Sequence, residues 1–233
     1  MVRIERVAPG VYRVDAIGPP NAVSVLLIEG EDGCTLVDTG VRGSAGRIRE
    51  ALVALGGRPE DLRRIYITHH HIDHVGGLPG VCEWAPGAEV IASEHEAEIL
   101  TGGRDPDASS GAVFRFANQF LQLPKEPVDR VVREGDTVAG FRVLLTPGHT
   151  LGHTSLLRDE DGLLFTADAF GAMIRRVKVG GLKAACTDPP LAKRSAEKLL
   201  AEEFDTVVMT HGATIHAGAR RRLEEAVARC DYA

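Results

Sequence analysis

The 233-residue chain predicts an α/β fold, with helices packed outside a strand-rich core. Two observations carry that expectation. Short β-branched apolar runs occur in both halves of the chain, and the segments between them carry helix start and stop signals. Hydrophobic residues make up 44% and charged residues 26%, which leaves little room for extended disorder. A layered fold of this length needs no second domain, so one domain over residues 1–233 is expected.

The elements follow in order. Val11 to Val14 and Val23 to Ile28 read as strands, Glu31-Asp32-Gly33 as a turn, and Thr35-Leu36-Val37 as a short strand ending at Asp38-Thr39-Gly40. A helix from about Ser44 places Ile48, Leu52 and Leu55 on one face, and Gly56-Gly57 closes it. Pro59 to Leu62 suits a helical turn, and Ile65 to Thr68 a buried strand. After a strand from Val90, Ser93 to Glu96 has the form of a capping box before Ala97 to Leu100. Thr101 to Gly111 is loop, and a helix over about Val113 to Leu121 gathers Phe114, Phe116 and Phe120. Strands are expected around Val131, Val138, Phe141 to Leu145, Ser155 to Leu157, Leu163 to Thr166 and Val207 to Met209. Helices are expected over Leu191 to Glu203 and Gly218 to Arg229.

Charge and composition exclude several classes. A net charge of −6 argues against a sequence-independent nucleic-acid binder. Cys34, Cys82, Cys186 and Cys230 lack the spacing of a zinc ribbon or redox pair and read as free thiols. The first residues, MVRIERVAPGVYRV, place charges where a secretory signal needs an apolar run. No stretch reaches the ~20 apolar residues of a membrane span, so a cytoplasmic protein is expected.

The chemistry is concentrated in Thr68-His69-His70-His71-Ile72-Asp73-His74. A regular helix would scatter these side chains and a regular strand would split them between faces, whereas a tight loop leaving a strand can aim them at one point. Gly76-Gly77 then allows close backbone approach. Imidazole with carboxylate and no thiolate suits zinc, iron or manganese.

This His-x-His-x-Asp-His pattern resembles the metal-binding signature of the metallo-β-lactamase superfamily, whose fold is a four-layer αββα sandwich. Three further motifs match in order: Thr146-Pro147-Gly148-His149-Thr150, Phe165-Thr166-Ala167-Asp168 and Val208-Met209-Thr210-His211-Gly212. The resemblance implies two divalent metal ions, zinc first, with iron or manganese admitted. His69, His71 and His149 would hold one ion, Asp73, His74 and His211 the other, and Asp168 would bridge them. Asp38, in the early Asp-Thr-Gly motif, would support the metal loop by hydrogen bonding. His70 reads as structural, His153 as a core histidine or a partner of the ligands, and His95 and His216 as capping or solvated.

The resemblance also implies a hydrolase in which a metal-bridging hydroxide cleaves a thioester, ester or lactone, with Asp73 and Asp168 as the catalytic carboxylates. A bridging aspartate is similar to the glyoxalase II-like and lactonase-like branches rather than to the best-known β-lactamases. Gly171 stands where the lactonase pattern has tyrosine, and no counterpart of the glutathione-gripping helical domain of glyoxalase II is expected after His211. Other readings are a mononuclear iron persulfide dioxygenase-like enzyme, a nuclease, and a non-catalytic ligand-binding member of the fold. Residues 93–127, with their phenylalanine cluster, are expected either to form a lid or apolar wall or to pack on the core with the phenylalanines buried. Arg175, Arg176, Lys178 and Lys183 form a basic stretch that could meet an anion or simply face solvent.

Overall fold

In the computed structural model, residues 2–118, 122–172 and 176–232 are described. Their backbone contacts divide into two units, residues 1–105 with 123–132, and residues 106–122 with 133–233.

In the first unit, seven described strands lie in chain order across one sheet: β1 Ile4–Ala8, β2 Val11–Asp15, β3 Ser24–Ile28, β4 Cys34–Val37, β5 Leu62–Ile67, β6 Glu89–Ser93 and β7 Arg130–Val132. β1 to β4 pair antiparallel and β4 to β7 parallel. β3 is buried at every position, as expected of a strand covered on both faces. The helices are α1 Ala45–Ala54, α2 Ile72–Val75, α3 Leu78–Trp84 and α4 Glu94–Leu100. Ile48 and Leu52 of α1 and Leu78 and Val81 of α3 share a core with Leu36, Ile65 and Ile67 of the sheet. Because β4, β5 and β6 run parallel, their C-terminal ends lie on one edge, where ligands of such sheets usually bind. Asp38, His69 and Glu96 each follow one of these ends.

The second unit contains α5 Ala112–Asn118, β8 Thr137–Val138, β9 Phe141–Leu145, β10 Thr154–Arg158, β11 Leu163–Phe165, β12 Phe170–Gly171, β13 Lys178–Val179, α6 Pro189–Leu200, β14 Thr206–Val208 and α7 Ala219–Ala228. Its described sheet runs β14-β11-β10-β9-β8, and β12 with β13 forms a separate antiparallel pair. β11 pairs parallel with β14, while β10 is antiparallel to both β9 and β11. β9, β11 and β14 therefore share one direction, and His149, Asp168 and His211 follow their ends. Leu199 of α6 and Leu223 of α7 are buried with Leu144, Leu157, Leu164 and Val207 of this sheet.

Several local expectations differ from the structure. The turn α2, helix α3 and the strand pair β12 and β13 form where no element was expected. Asp73 and His74 therefore lie on a helical turn, not on a plain loop. α6 begins at Pro189, where Asp188 caps it by accepting from the Leu191 N–H at 2.9 Å. Ser93 is the N-cap of α4, yet its side chain makes no cap hydrogen bond, and Glu96 points elsewhere. The expected helix end at Phe120 and Leu121, and Arg175 of the basic stretch, lie outside the described residues. No helix among the described residues is long and apolar enough to cross a membrane.

Gly77 shows why the metal-loop segment needs glycine. A Cβ there would sit 2.2 Å from the Thr39 carbonyl oxygen. Replacing Gly77 by alanine is expected to destabilise the protein by about 3 kcal/mol in chemical denaturation. Gly46, in α1, faces open space, so Gly46→Ala is expected to stabilise by about 0.5–1 kcal/mol.

Candidate metal centre

In the first unit the ligand candidates grow from a buried anchor. Asp38 is fully buried and adopts a left-handed backbone, φ 61°. Its carboxylate accepts from the Thr68 N–H at 2.9 Å, and from the Thr68 hydroxyl at 2.8 and 3.0 Å. His74 Nδ1 lies 2.7 Å from the same carboxylate. Thr68 Oγ1 is also 3.1 Å from His69 Nδ1. Since the threonine proton goes to the carboxylate, its lone pair faces His69, and both imidazoles donate through Nδ1. Each neutral ring then carries its lone pair on Nε2, the nitrogen left for a ligand bond.

The neighbouring backbone fixes this arrangement. The Thr39 N–H and hydroxyl donate to the His74 carbonyl at 2.7 and 2.8 Å, tying the end of β4 to α2. His69 and His71 lie with ring centroids 4.8 Å apart, and His69 and His74 with centroids 3.9 Å apart. Donor atoms of Asp73 and His74 fall within 4.8 Å of one another. His69 and His74 are buried, whereas His71 and Asp73 are half-buried.

His70 has a partner of its own. Its Nδ1 lies 2.7 Å from Glu96 Oε2, and both side chains are essentially buried. In an extended segment alternate side chains face opposite sides, so anchoring His70 helps set the side on which His69 and His71 lie. Glu96→Ala is expected to cost about 2–4 kcal/mol, because a buried imidazole loses its partner, and Glu96→Gln less. Denaturation midpoints at an unchanged m value would measure both.

In the second unit Asp168 follows β11 just after Ala167, whose φ of 43° is unfavourable for a residue with a Cβ. Such strain clusters at functional positions. Asp168 Oδ2 lies 3.3 Å from His149 Nε2 and 3.3 Å from His211 Nε2. His153 is buried, accepts from the Asp168 N–H on Nε2 at 3.1 Å, and pairs through Nδ1 with Thr146 Oγ1 at 2.8 Å. Thr146 Oγ1 continues to Ser155 Oγ at 3.0 Å, and that hydroxyl donates to the Thr166 carbonyl. His153 is thus both a core histidine and the holder of the Asp168 backbone.

His149 has a sulfur neighbour that the spacing of the cysteines did not signal. Cys186 Sγ lies 3.7 Å from His149 Nδ1, and the thiol is placed to donate to the Gly180 or Leu182 carbonyl. Burial, with a smaller push from the Asp168 charge, moves this thiol up to about 12. It therefore stays protonated at neutral pH, a polarisable neighbour that helps seat the ring. All four cysteines are free. Of the other histidines, His95 is half-buried on α4 and His216 is exposed.

The donor sets suit a divalent ion. For metal–ligand bonds of ~2.0–2.1 Å in a tetrahedron, neighbouring ligand atoms stand ~3.3–3.4 Å apart. The two 3.3 Å separations around Asp168 Oδ2 match that edge. Imidazole nitrogens with carboxylate oxygens are the set expected for zinc, iron or manganese.

Comparisons with known proteins agree. A probable metallo-hydrolase of Bacillus subtilis, YflN, is 29% identical over 76% of this chain and 74% of its own length. A hydroxyacylglutathione hydrolase from Cereibacter sphaeroides is 31% identical over 72% of this chain, which spans about half, 55%, of that relative. A solved metallo-β-lactamase from Cronobacter sakazakii, a HARLDQ motif mutant, superposes with a TM-score of 0.74 and 27% identity, covering 98% of this chain and 95% of that one. The α/β fold of the αββα class expected from the sequence is thus the fold of the protein. The family model of the metallo-β-lactamase superfamily matches residues 18–212, a span that contains every candidate ligand, and the chain belongs to that superfamily.

Proposed function

We propose that the protein is a dinuclear metallohydrolase that cleaves a thioester, ester or lactone bond of a small molecule. The observation that carries this reading is Asp168, one of whose oxygens is shared at 3.3 Å between the Nε2 atoms of His149 and His211. A carboxylate oxygen so placed suits a bridge between two ions, and seven intact ligand positions in one family match support a loaded centre. In this proposal His69, His71 and His149 serve one ion, Asp73, His74 and His211 the other, and Asp168 both. Zinc is the first choice, with iron or manganese as alternatives.

When bound, the divalent ions supply a hydroxide nucleophile at neutral pH and polarise the substrate carbonyl. The chain's residues do the rest. Asp38 and Thr68 keep His69 and His74 in the tautomer that presents Nε2. His153 holds the Asp168 backbone. Asp73, half-buried on its helical turn, is placed to take the proton that the added hydroxide loses as the carboxylate product forms and to hand it to the leaving alkoxide or thiolate.

The acyl group is proposed to rest on α5, within the lid expected over residues 93–127. Ser93–Leu100 of that stretch is packed into the first unit, whereas α5 belongs to the second. There Asp107 accepts from the Leu151 N–H, two residues beyond His149, at 2.6 Å, and Ser110 and Gly111 bond to the backbone at Cys186 and Ala184. Val113 and Phe116 stand 80% and 65% exposed, which leaves apolar surface open to a substrate chain. Phe116→Ala is expected to lower kcat/KM for long acyl chains about tenfold while sparing acetyl substrates, metal content and stability. Uniform loss across all substrates would contradict an acyl wall. The reaction class is tested by turnover of thioester, ester and lactone panels, and oxygen uptake with a persulfide in place of hydrolysis would overturn it.

A further inference from the structure

The basic stretch after Asp168 lines a cavity that the proposed hydrolysis does not use. The cavity is about 340 Å³, within the range of small-ligand pockets, and lies wholly in the second unit. Its walls come from the β13 segment, the turn that follows it, and the end of α7 with the residues just beyond. Val177, Val179 and Tyr232 make a buried apolar floor, and the Tyr232 hydroxyl fixes one wall by donating to the Val179 carbonyl at 2.8 Å. Four cations, Arg176, Lys178, Lys183 and Arg229, line it against one carboxylate, Asp231.

These cations are unequally engaged. Lys183 lies 3.9 Å from Asp231 and over the Tyr232 ring at 5.1 Å, while Arg229 lies 3.5 Å from Glu225 of α7. Among the described residues no ion pair engages Arg176 or Lys178. Like charges gathered around one cavity repel each other, and an anion placed among them relieves that repulsion. The apolar floor adds a place for an uncharged body. We infer that this pocket binds a small organic anion, a phosphate monoester or carboxylate carrying a compact apolar group, with Arg176 and Lys178 as its main charge partners.

None of the seven metal-site positions lines the pocket, so binding here can be separated from binding at the metals. It remains physically linked to them through one short path. Gly180 follows β13, its carbonyl accepts from Cys186, and Cys186 touches His149.

The test titrates the full, metal-loaded chain with phenyl phosphate and with inorganic phosphate, using calorimetry and amide NMR shifts. Saturable binding is expected, with shifts at Val177–Lys183 and Ala226–Tyr232. Phenyl phosphate should bind about tenfold more tightly than inorganic phosphate, because only the former covers the floor. The charge-reversed double variant R176E/K178E should bind it at least about tenfold more weakly. Both side chains are exposed, and folding of that variant is checked by its thermal melt. Shifts confined to the loops of His69–His74, His149 and His211 would overturn the inference. So would an affinity unchanged in R176E/K178E, absence of saturation, or equal affinity for the two phosphates.

Discussion

Asp168→Ala is expected to lower hydrolytic turnover by at least about a thousandfold and to release metal, while the fold survives. The carboxylate stands within 3.3 Å of two imidazole nitrogens, so its removal empties the position that both share. Removing one charge partner from a preorganised site costs about 10²–10³ in rate, and a bridging ligand would affect both ions. Asp168→Asn should recover part of the metal content, because one carbonyl oxygen remains, but little of the turnover. Steady-state kinetics beside elemental analysis would check this. Full activity in Asp168→Ala would remove the bridging role.

The second large effect is expected at Asp38, which bonds to the metal-loop residues without being a ligand in the proposal. Its carboxylate takes bonds from Thr68 N–H, Thr68 O–H and His74 Nδ1, all buried. Asp38→Ala leaves those donors without their acceptor and frees the His74 ring. Metal affinity is expected to fall about 10–100-fold, the usual loss when the partner of a ligating histidine is removed. Stability is expected to fall by about 3–5 kcal/mol, since a fully buried charged acceptor is lost. Asp38→Asn tolerates the left-handed backbone and retains one acceptor, so it should lose less of both. Chelator-competition titrations and denaturation of the apo-protein separate the two effects. A purely structural Asp38 would lower stability and leave the metal affinity of the folded protein unchanged.

The sequence was most legible where residue type alone dictates place. The short apolar runs at Val23–Ile28, Ile65–Ile67 and Phe141–Leu145 became strands because they are brief, mostly β-branched or aromatic-flanked, and largely buried. The ligand candidates sit directly after strands, which places His69 after β5, His149 after β9, Asp168 after β11 and His211 after β14. Position along a strand was therefore enough to indicate which end each side chain occupies.

Tertiary contacts wrote the remainder. Helix α3 reads Leu-Pro-Gly-Val-Cys-Glu-Trp, weak by propensity, and packing of Leu78 and Val81 secures it. Glu96 matched a local cap pattern, but its partner His70 lies 26 residues away and wins because both are buried. Cys186 reaches His149 across 37 residues, a relation that no spacing rule encodes. The basic stretch looked like a solvated loop until α7 and Tyr232 closed the cavity beside it.

The central claim is tested most directly by metal content per chain, measured by elemental analysis on protein purified without added metal. The account predicts about two zinc, iron or manganese ions per chain, falling in Asp168→Ala together with turnover. Metal-free protein, unchanged in stability and in hydrolysis when treated with a chelator, would contradict it.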